Sequence, residues 1–204
     1  MRRFVVIGRG AIASDDFLLD DVPGTSGRLD VALRCVRAAL LFSDGLRRDV
    51  IVYLVLGGGP RAPRVLRLSG ATARFLRPDE RSLAVLAKKV LASHADAERA
   101  GFVEVKAGIA IASAGLDLVI DDLGGATPYL LEPNAPDLRE AAELGRTDAA
   151  FFIGDHAGVS EAARAELAAI GARSLGVGPV RLHAEDAIAI VSNEIDRREA
   201  SRRP

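Results

Sequence analysis

The chain has 204 residues, with 49% hydrophobic side chains, 27 Lys+Arg against 28 Asp+Glu, 20 Gly, one Cys and no Trp. Those numbers exclude a disordered tail, a collagen-like repeat and a secreted module built on disulfides. The near-neutral balance hides an asymmetry: residues 1–81 carry 14 Arg, no Lys and 9 acids, whereas residues 82–204 carry 13 basic and 19 acidic side chains.

In chain order, short β-branched runs alternate with longer stretches of helical period. Strands are expected over residues 4–7, 50–56, 65–68, 108–112, 129–131, 149–153 and 174–177. Residues 29–42 repeat apolar side chains at 29, 33, 36 and 40, one stripe of a helix. Pro78-Asp-Glu-Arg opens a second helix, with Pro near its first position and acids where the dipole favours them. Further helices are expected from Ala114, from Asp137, from an N-cap at Ser160, and from His183 to about Arg198. Residues 11–26 and the Gly57-Gly-Gly-Pro turn are the expected flexible stretches. Alternating strands and helices, with nearly continuous apolar strands, predict an α/β fold: a mostly parallel sheet covered on both faces. A chain of this length buries enough surface for one core, so a single domain over residues 1–204 is expected. Cys35 sits on an apolar helix face and cannot pair within the chain, which suits a reducing, cytoplasmic protein. The apolar run after Met1-Arg-Arg is too short for a signal sequence or a bilayer span, so no membrane association is expected.

In open parallel sheets, ligands sit outside the carboxyl ends of the strands. Three segments leave such ends in the last third: Tyr129-Leu-Leu-Glu-Pro-Asn, Phe152-Ile-Gly-Asp-His-Ala-Gly, and Leu175-Gly-Val-Gly-Pro-Val-Arg-Leu-His. Gly and Pro keep side chains out of the way there, and the backbone groups and apolar residues suit an adenosine-like ligand. The competing reading is that ordinary turns contain Gly and Pro. Gly8-Arg-Gly lacks the rest of a dinucleotide fingerprint, and Gly57-Gly-Gly lacks the Gly-Lys-Ser/Thr ending of a phosphate loop. With His94, His156 and His183 as the only histidines, and no CxxC or HExxH, no metal is expected. His156 and His183 fall in strand-exit loops, where pinning a loop to its backbone is their simplest use. Gly27-Arg28-Leu-Asp30 and Pro78-Asp79-Glu80-Arg81 each place an Arg and a carboxylate where a loop becomes a helix, a setting for anion binding and proton transfer. The plainer reading is helix-start chemistry with a local ion pair such as Asp30 with Arg34.

Gly27-Arg-Leu-Asp, Arg34-Cys-Val, Arg47-Arg-Asp-Val, Pro78-Asp-Glu-Arg, Ile153-Gly-Asp-His and Leu182-His-Ala, in this order and spacing, resemble the archaeal tRNA pseudouridine-54 N1-methyltransferase family of the SPOUT superfamily. The resemblance runs from about Phe4 to about Arg198. It implies a sheet flanked by helices with a C-terminal trefoil knot, a homodimer, S-adenosylmethionine as cofactor and RNA, in particular tRNA, as substrate. It further implies a methyl-donor pocket formed by Leu131, Gly154 and the stretch Val177, Gly178, Pro179, Val180, Arg181 and Leu182. Arg28, Asp30, Asp79 and Arg81 would face the RNA, with Asp30 first and Asp79 second as acceptor of the N1 proton and Arg28 positioning a phosphate or stabilising negative charge on the base. Two departures from the family pattern stand out: Ala187 where the family has Cys, and Ala112-Ser113 where it has a basic pair. They leave room for two alternatives, methylation of a ribosomal RNA pseudouridine and a noncatalytic RNA-binding protein of the same fold.

Overall fold

A computed structural model describes residues 1–93 and 100–202; His94 lies outside the described residues. The elements are β1 (Arg2–Ile12), α1 (Val22–Thr25), α2 (Leu29–Leu40), β2 (Leu41–Phe42), β3 (Gly45–Leu46), β4 (Val50–Gly58), β5 (Arg64–Ser69), α3 (Glu80–Ala92), β6 (Val103–Lys106) and β7 (Ile109–Ala112). They continue as α4 (Leu116–Asp121), β8 (Thr127–Leu131), a short 3-10 helix (Leu138–Glu140), β9 (Ala149–Gly154), α5 (Glu161–Ala169), β10 (Arg173–Leu175) and α6 (Ala184–Ala200).

Eight strands form one sheet in the order β10-β8-β9-β1-β4-β5-β7-β6. The pairings from β10 to β4 are parallel, whereas β5, β7 and β6 add on antiparallel. The fold is thus α/β with a mostly parallel sheet. Its antiparallel flank departs from the sequence reading for a simple reason. The Gly57-Gly-Gly-Pro stretch is too short for a parallel crossover and returns the chain as a hairpin from β4 to β5.

Side chains alternate across the sheet as the pleat requires. On β1, Phe4 and Val6 face a core completed by α2, α3 and α6; Val5 and Ile7 face a second core under α4 and α5. Across the centre of the sheet, Phe4, Phe151 and Tyr129 occupy matching positions on β1, β9 and β8. Their rings stack with centroids 5.4 and 5.5 Å apart. The stripe at Leu29, Leu33, Val36 and Leu40 is buried, and so is Cys35, whose thiol burial pushes up out of the reactive range.

Several expected boundaries move. The helix begun at Leu29 stops at Leu40 because residues 41–42 pair with β3. Pro78 lies outside α3, whose N-cap is Asp79, and Ser160 caps α5 as anticipated. The helix expected from Asp137 shrinks to one 3-10 turn, because the backbone there bonds instead to Gly176. Residues 11–26 hold the end of β1 and the short α1. Among the described residues, no helix is long and apolar enough to cross a membrane.

Candidate active site

At the carboxyl ends of β8, β9 and β10 lies a cleft of about 560 Å³. This is large enough for a small-molecule ligand. Its walls come from three directions. Leu131, Glu132 and Pro133 come from the end of β8 and the loop after it, Ile153 to His156 with Gly158 and Val159 from the end of β9 and its loop, and Val177, Gly178 and Val180 to Ala184 from the segment after β10. The N-terminal half of α2 adds Val31 and Arg34, with Arg28 at its N-cap, and the start of α6 adds Glu185 and Ala187.

Backbone hydrogen bonds stitch these loops together. Glu132 N–H donates to Leu175 O (3.0 Å), Gly176 N–H to Pro136 O (2.7 Å) and Leu138 N–H to Gly176 O (2.8 Å). At Gly176 a Cβ would stand 2.5 Å from Ala135 O, so the contact demands glycine. Asp155 braces the middle loop: its carboxylate accepts from the backbone N–H of Arg9 (2.9 Å) and Ala157 (2.8 Å). Gly158 and Gly178 line the cleft at positive φ, where a Cβ would meet no atom within 4 Å, so both leave open space on the wall.

The charged side of the cleft is built from α2. Ser26 Oγ accepts from Leu29 N–H (3.0 Å), and Gly27 and Arg28 both adopt left-handed backbone. Only glycine fits at 27, where a Cβ would fall 1.9 Å from Gly10 O. Left-handed backbone at a non-glycine residue is uncommon and collects at functional sites; here it turns Arg28 onto the cleft wall. Arg28 Nε and Nη2 donate to the two oxygens of Asp30 at 3.1 and 3.2 Å, and Arg34 Nη1 donates to Asp30 Oδ2 at 2.8 Å. Arg34 Nε reaches across to Glu185 Oε1 at 2.8 Å. The other oxygen, Glu185 Oε2, is out of water and has no hydrogen-bond partner among the described residues. A buried anionic oxygen without a donor is costly, which makes it a candidate acceptor for a ligand N–H.

Burial pushes the Asp30 carboxyl up, but hydrogen bonds from Arg28 and Arg34 outweigh it and hold the group below its ordinary 3.8. A depressed native value stabilises the fold above the unfolded-state value, and that stability is lost as pH falls through the native one. Asp30→Asn is therefore expected to cost about 1.5–3 kcal/mol at neutral pH, the usual size for a charge-assisted bond. Thermal melts of the two proteins should begin to converge below about pH 4, where the unfolded-state carboxylate takes up its proton, and should meet below the depressed native value. Melts that stay equally far apart from pH 7 to pH 3 would contradict this.

The cleft gathers most of the residues singled out in the sequence. Leu131, Gly154, Val177, Gly178, Val180, Arg181 and Leu182 all line it, as do His156 and His183, while Pro179 lies between lining residues without reaching the wall. Arg28 lines it; Asp30 sits behind, its side chain 2% exposed. Asp79 lies elsewhere: exposed, it caps α3 by accepting from Ser82 N–H (2.8 Å). Arg81 pairs with Asp20 at the surface. The sequence reading missed Arg164, which pairs with Glu132, and Glu185, which looked like one more acid in a first helical turn. Among the described residues, no group of three or more His, Cys, Asp or Glu is arranged to hold a metal ion.

Comparison with known proteins decides the family. A family model described as "Putative SAM-dependent RNA methyltransferase" matches residues 1–200. The chain belongs to this family. It is 39% identical over 202 residues to a protein of Methanosarcina mazei named tRNA (pseudouridine(54)-N(1))-methyltransferase, covering 99% of this chain and 94% of that protein. Relatives of the same name are 39% identical in Methanococcoides burtonii, covering 97% and 96% of the two chains, and 38% identical in Halobacterium salinarum, covering 96% of each. Among solved structures, Nep1 of Archaeoglobus fulgidus bound to S-adenosylhomocysteine shares the fold of this family member. The TM-score is 0.66 at 18% identity, with 98% and 99% of the two chains covered.

Proposed function

We propose that this protein transfers a methyl group from S-adenosylmethionine to N1 of a pseudouridine in RNA, with tRNA position 54, named for its relatives, as the target. The observation that carries the reading is the composition of the cleft: apolar walls and open glycine positions on one side, a guanidinium and carboxylate cluster on the other. S-adenosylmethionine fits the first half, held by Leu131, Gly154 and residues 177–182, and supplies when bound a methyl group activated by a sulfonium. The imide-like N1–H of the base fits the second.

N1 must lose its proton to become an effective nucleophile, and that proton needs an acceptor. Asp30, the first choice from sequence, has both oxygens held by guanidinium groups. Among the described residues, Glu185 Oε2 is a carboxylate oxygen of a cleft-lining side chain with no donor. In this reading the N1 proton passes to Glu185 Oε2, and Arg28 and Arg34 stabilise the negative charge left on the base. Asp30 is then a positioning residue that fixes both arginines. Asp79, in its cap, shapes the approach to the cleft through its neighbour Glu80, whose carboxylate lies 3.7 Å from Arg34.

The finer topology and assembly belong to the same proposal. Support for a C-terminal knot comes from Gly176, which is bonded to both Pro136 and Leu138 before the chain emerges as α6 on the α2 side of the sheet. A homodimer is supported by exposed apolar side chains beside the cleft and on α6, Val180 at 64% and Ile190 at 36%. One domain over the whole chain, acting in the cytoplasm where its RNA resides, completes the reading.

The deciding experiment has two arms. Thermal unfolding with S-adenosylmethionine at 100 times its dissociation constant should stabilise the protein by about 2.7 kcal/mol. For a chain of this size that is a rise of roughly 5–11 °C, while NAD and ATP should have no effect. Incubation with a tRNA bearing pseudouridine at position 54 should then yield N1-methylpseudouridine by nucleoside mass spectrometry. No thermal shift, with RNA binding retained, would return the chain to a binding-module reading; methyl on ribosomal RNA alone would move the substrate.

A further inference from the structure

The loop between β5 and α3 holds a feature that the cleft does not use. Phe75 is 88% exposed and has φ +58°. Left-handed backbone is a genuine outlier for so bulky a residue, and among the described residues the ring has no aromatic or cation–π partner.

This is not a frayed segment. Ala73 is fully buried, and Leu76 packs against the main core, so the loop is anchored on both sides of the ring. Arg48 Nη1 donates to Gly70 O and Ala73 O at 2.9 and 3.2 Å, Ala73 N–H donates to Ser69 O at 2.8 Å, and the Asp79 cap fixes the far end. The anchoring drives residue 76 inward and leaves residue 75 pointing out. Arg74 and Arg77 flank the ring, both exposed and neither engaged in a hydrogen bond or ion pair with the described residues. The loop is also continuous with the cleft. Phe75 is five residues from Glu80, whose carboxylate lies 3.7 Å from Arg34 on the cleft wall, so at most roughly 18 Å of chain separates them.

An aromatic face held in water between two exposed guanidinium groups matches one partner chemistry: a splayed nucleobase between its phosphates. We propose that Phe75 is a stacking platform for a second unpaired base of the RNA, outside the cleft, with Arg74 and Arg77 holding the phosphates on either side. The proposal rests on the RNA-methyltransferase reading and extends it to how the substrate is gripped.

The test measures binding of a tRNA transcript carrying pseudouridine 54 across a series of salt concentrations. Phe75→Ala should weaken binding by about 5- to 100-fold with an unchanged salt slope, whereas Phe75→Trp should bind at least as well as wild type. Arg74→Ala with Arg77→Ala should flatten the slope of log affinity against log salt by about 1.4, or 0.7 per phosphate contact. Stabilisation by S-adenosylmethionine and elution volume should not change in any of these variants, and affinity for a blunt RNA duplex should not change in the two Phe75 variants. Wild-type methylation with undiminished RNA binding by Phe75→Ala would overturn the platform alone. A smaller assembly in Phe75→Ala would overturn it by assigning the ring to an interface between copies. Wild-type protein that neither binds nor methylates the RNA would overturn the enzyme reading and the platform together.

Discussion

Glu185→Gln is expected to fold, to be stabilised by S-adenosylmethionine as wild type is, and to methylate RNA about 10²-fold or more slowly. The size is that of a lost general base. Glutamine keeps the shape of the side chain and can still accept from Arg34, but its amide cannot take up the N1 proton. The split between binding and rate separates this from a packing defect: stabilisation by S-adenosylmethionine and affinity for RNA should match wild type, and only the single-turnover rate should fall. Glu185→Asp should recover part of the rate, because it restores the charge at a shorter reach. Loss of the thermal shift in Glu185→Gln would place Oε2 against the methyl donor instead. Normal turnover would return the proton to Asp30.

The second large effect is on stability. Phe151→Ala should cost about 3–5 kcal/mol, the usual range for removing a buried Phe. The central ring stacks on both Phe4 and Tyr129, and each aromatic pair adds about 0.5–1.5 kcal/mol beyond burial, so the upper part of the range is expected. For a chain of this size that is a fall in Tm of roughly 6–20 °C. Phe151 and its partners sit in register on the three strands β1, β9 and β8, two of which end at the cleft. Melts with and without S-adenosylmethionine should therefore show a weakened ligand shift in Phe151→Ala, and Phe151→Leu should fall between the two. A Tm within 2 °C of wild type would show that the stack contributes little.

The sequence disclosed the parallel half of the fold well, because strands such as Val50–Gly58 and Ala149–Gly154 are apolar along their whole length, as burial on both faces demands. Their exit loops, rich in Gly and Pro, could be identified for the same reason, and seven of the eight proposed donor-pocket residues line one cleft. What the sequence hid is set by contacts between distant segments. The Asp137 region carries helix-forming residues, yet its backbone is claimed by Gly176, nearly forty positions away. Asp30 was legible as the partner of Arg34, four positions on, but nothing local says that Arg28 would close on it as well. Glu185 looked like a solvated helix-start acid because its cleft is made by loops from elsewhere in the chain. Phe75 carried no periodic signal at all; its exposure follows from the burial of Ala73 and Leu76 around it.

The lopsided sheet also decides how freely the two ends of the molecule can change. From β10 to β6 there are seven strand spacings, about 34 Å at the usual separation, with the cleft near one end and the β6–β7 hairpin at the other. Sites that far apart, with no shared partners, contribute independently, and their free-energy effects add to within about 0.3–0.5 kcal/mol. Residues on the outer hairpin, among them the exposed Glu104 and Lys106, can therefore be exchanged without any compensating change around Arg28 or Glu185. A lineage could retune that edge one substitution at a time while the methyl-transfer half stayed fixed.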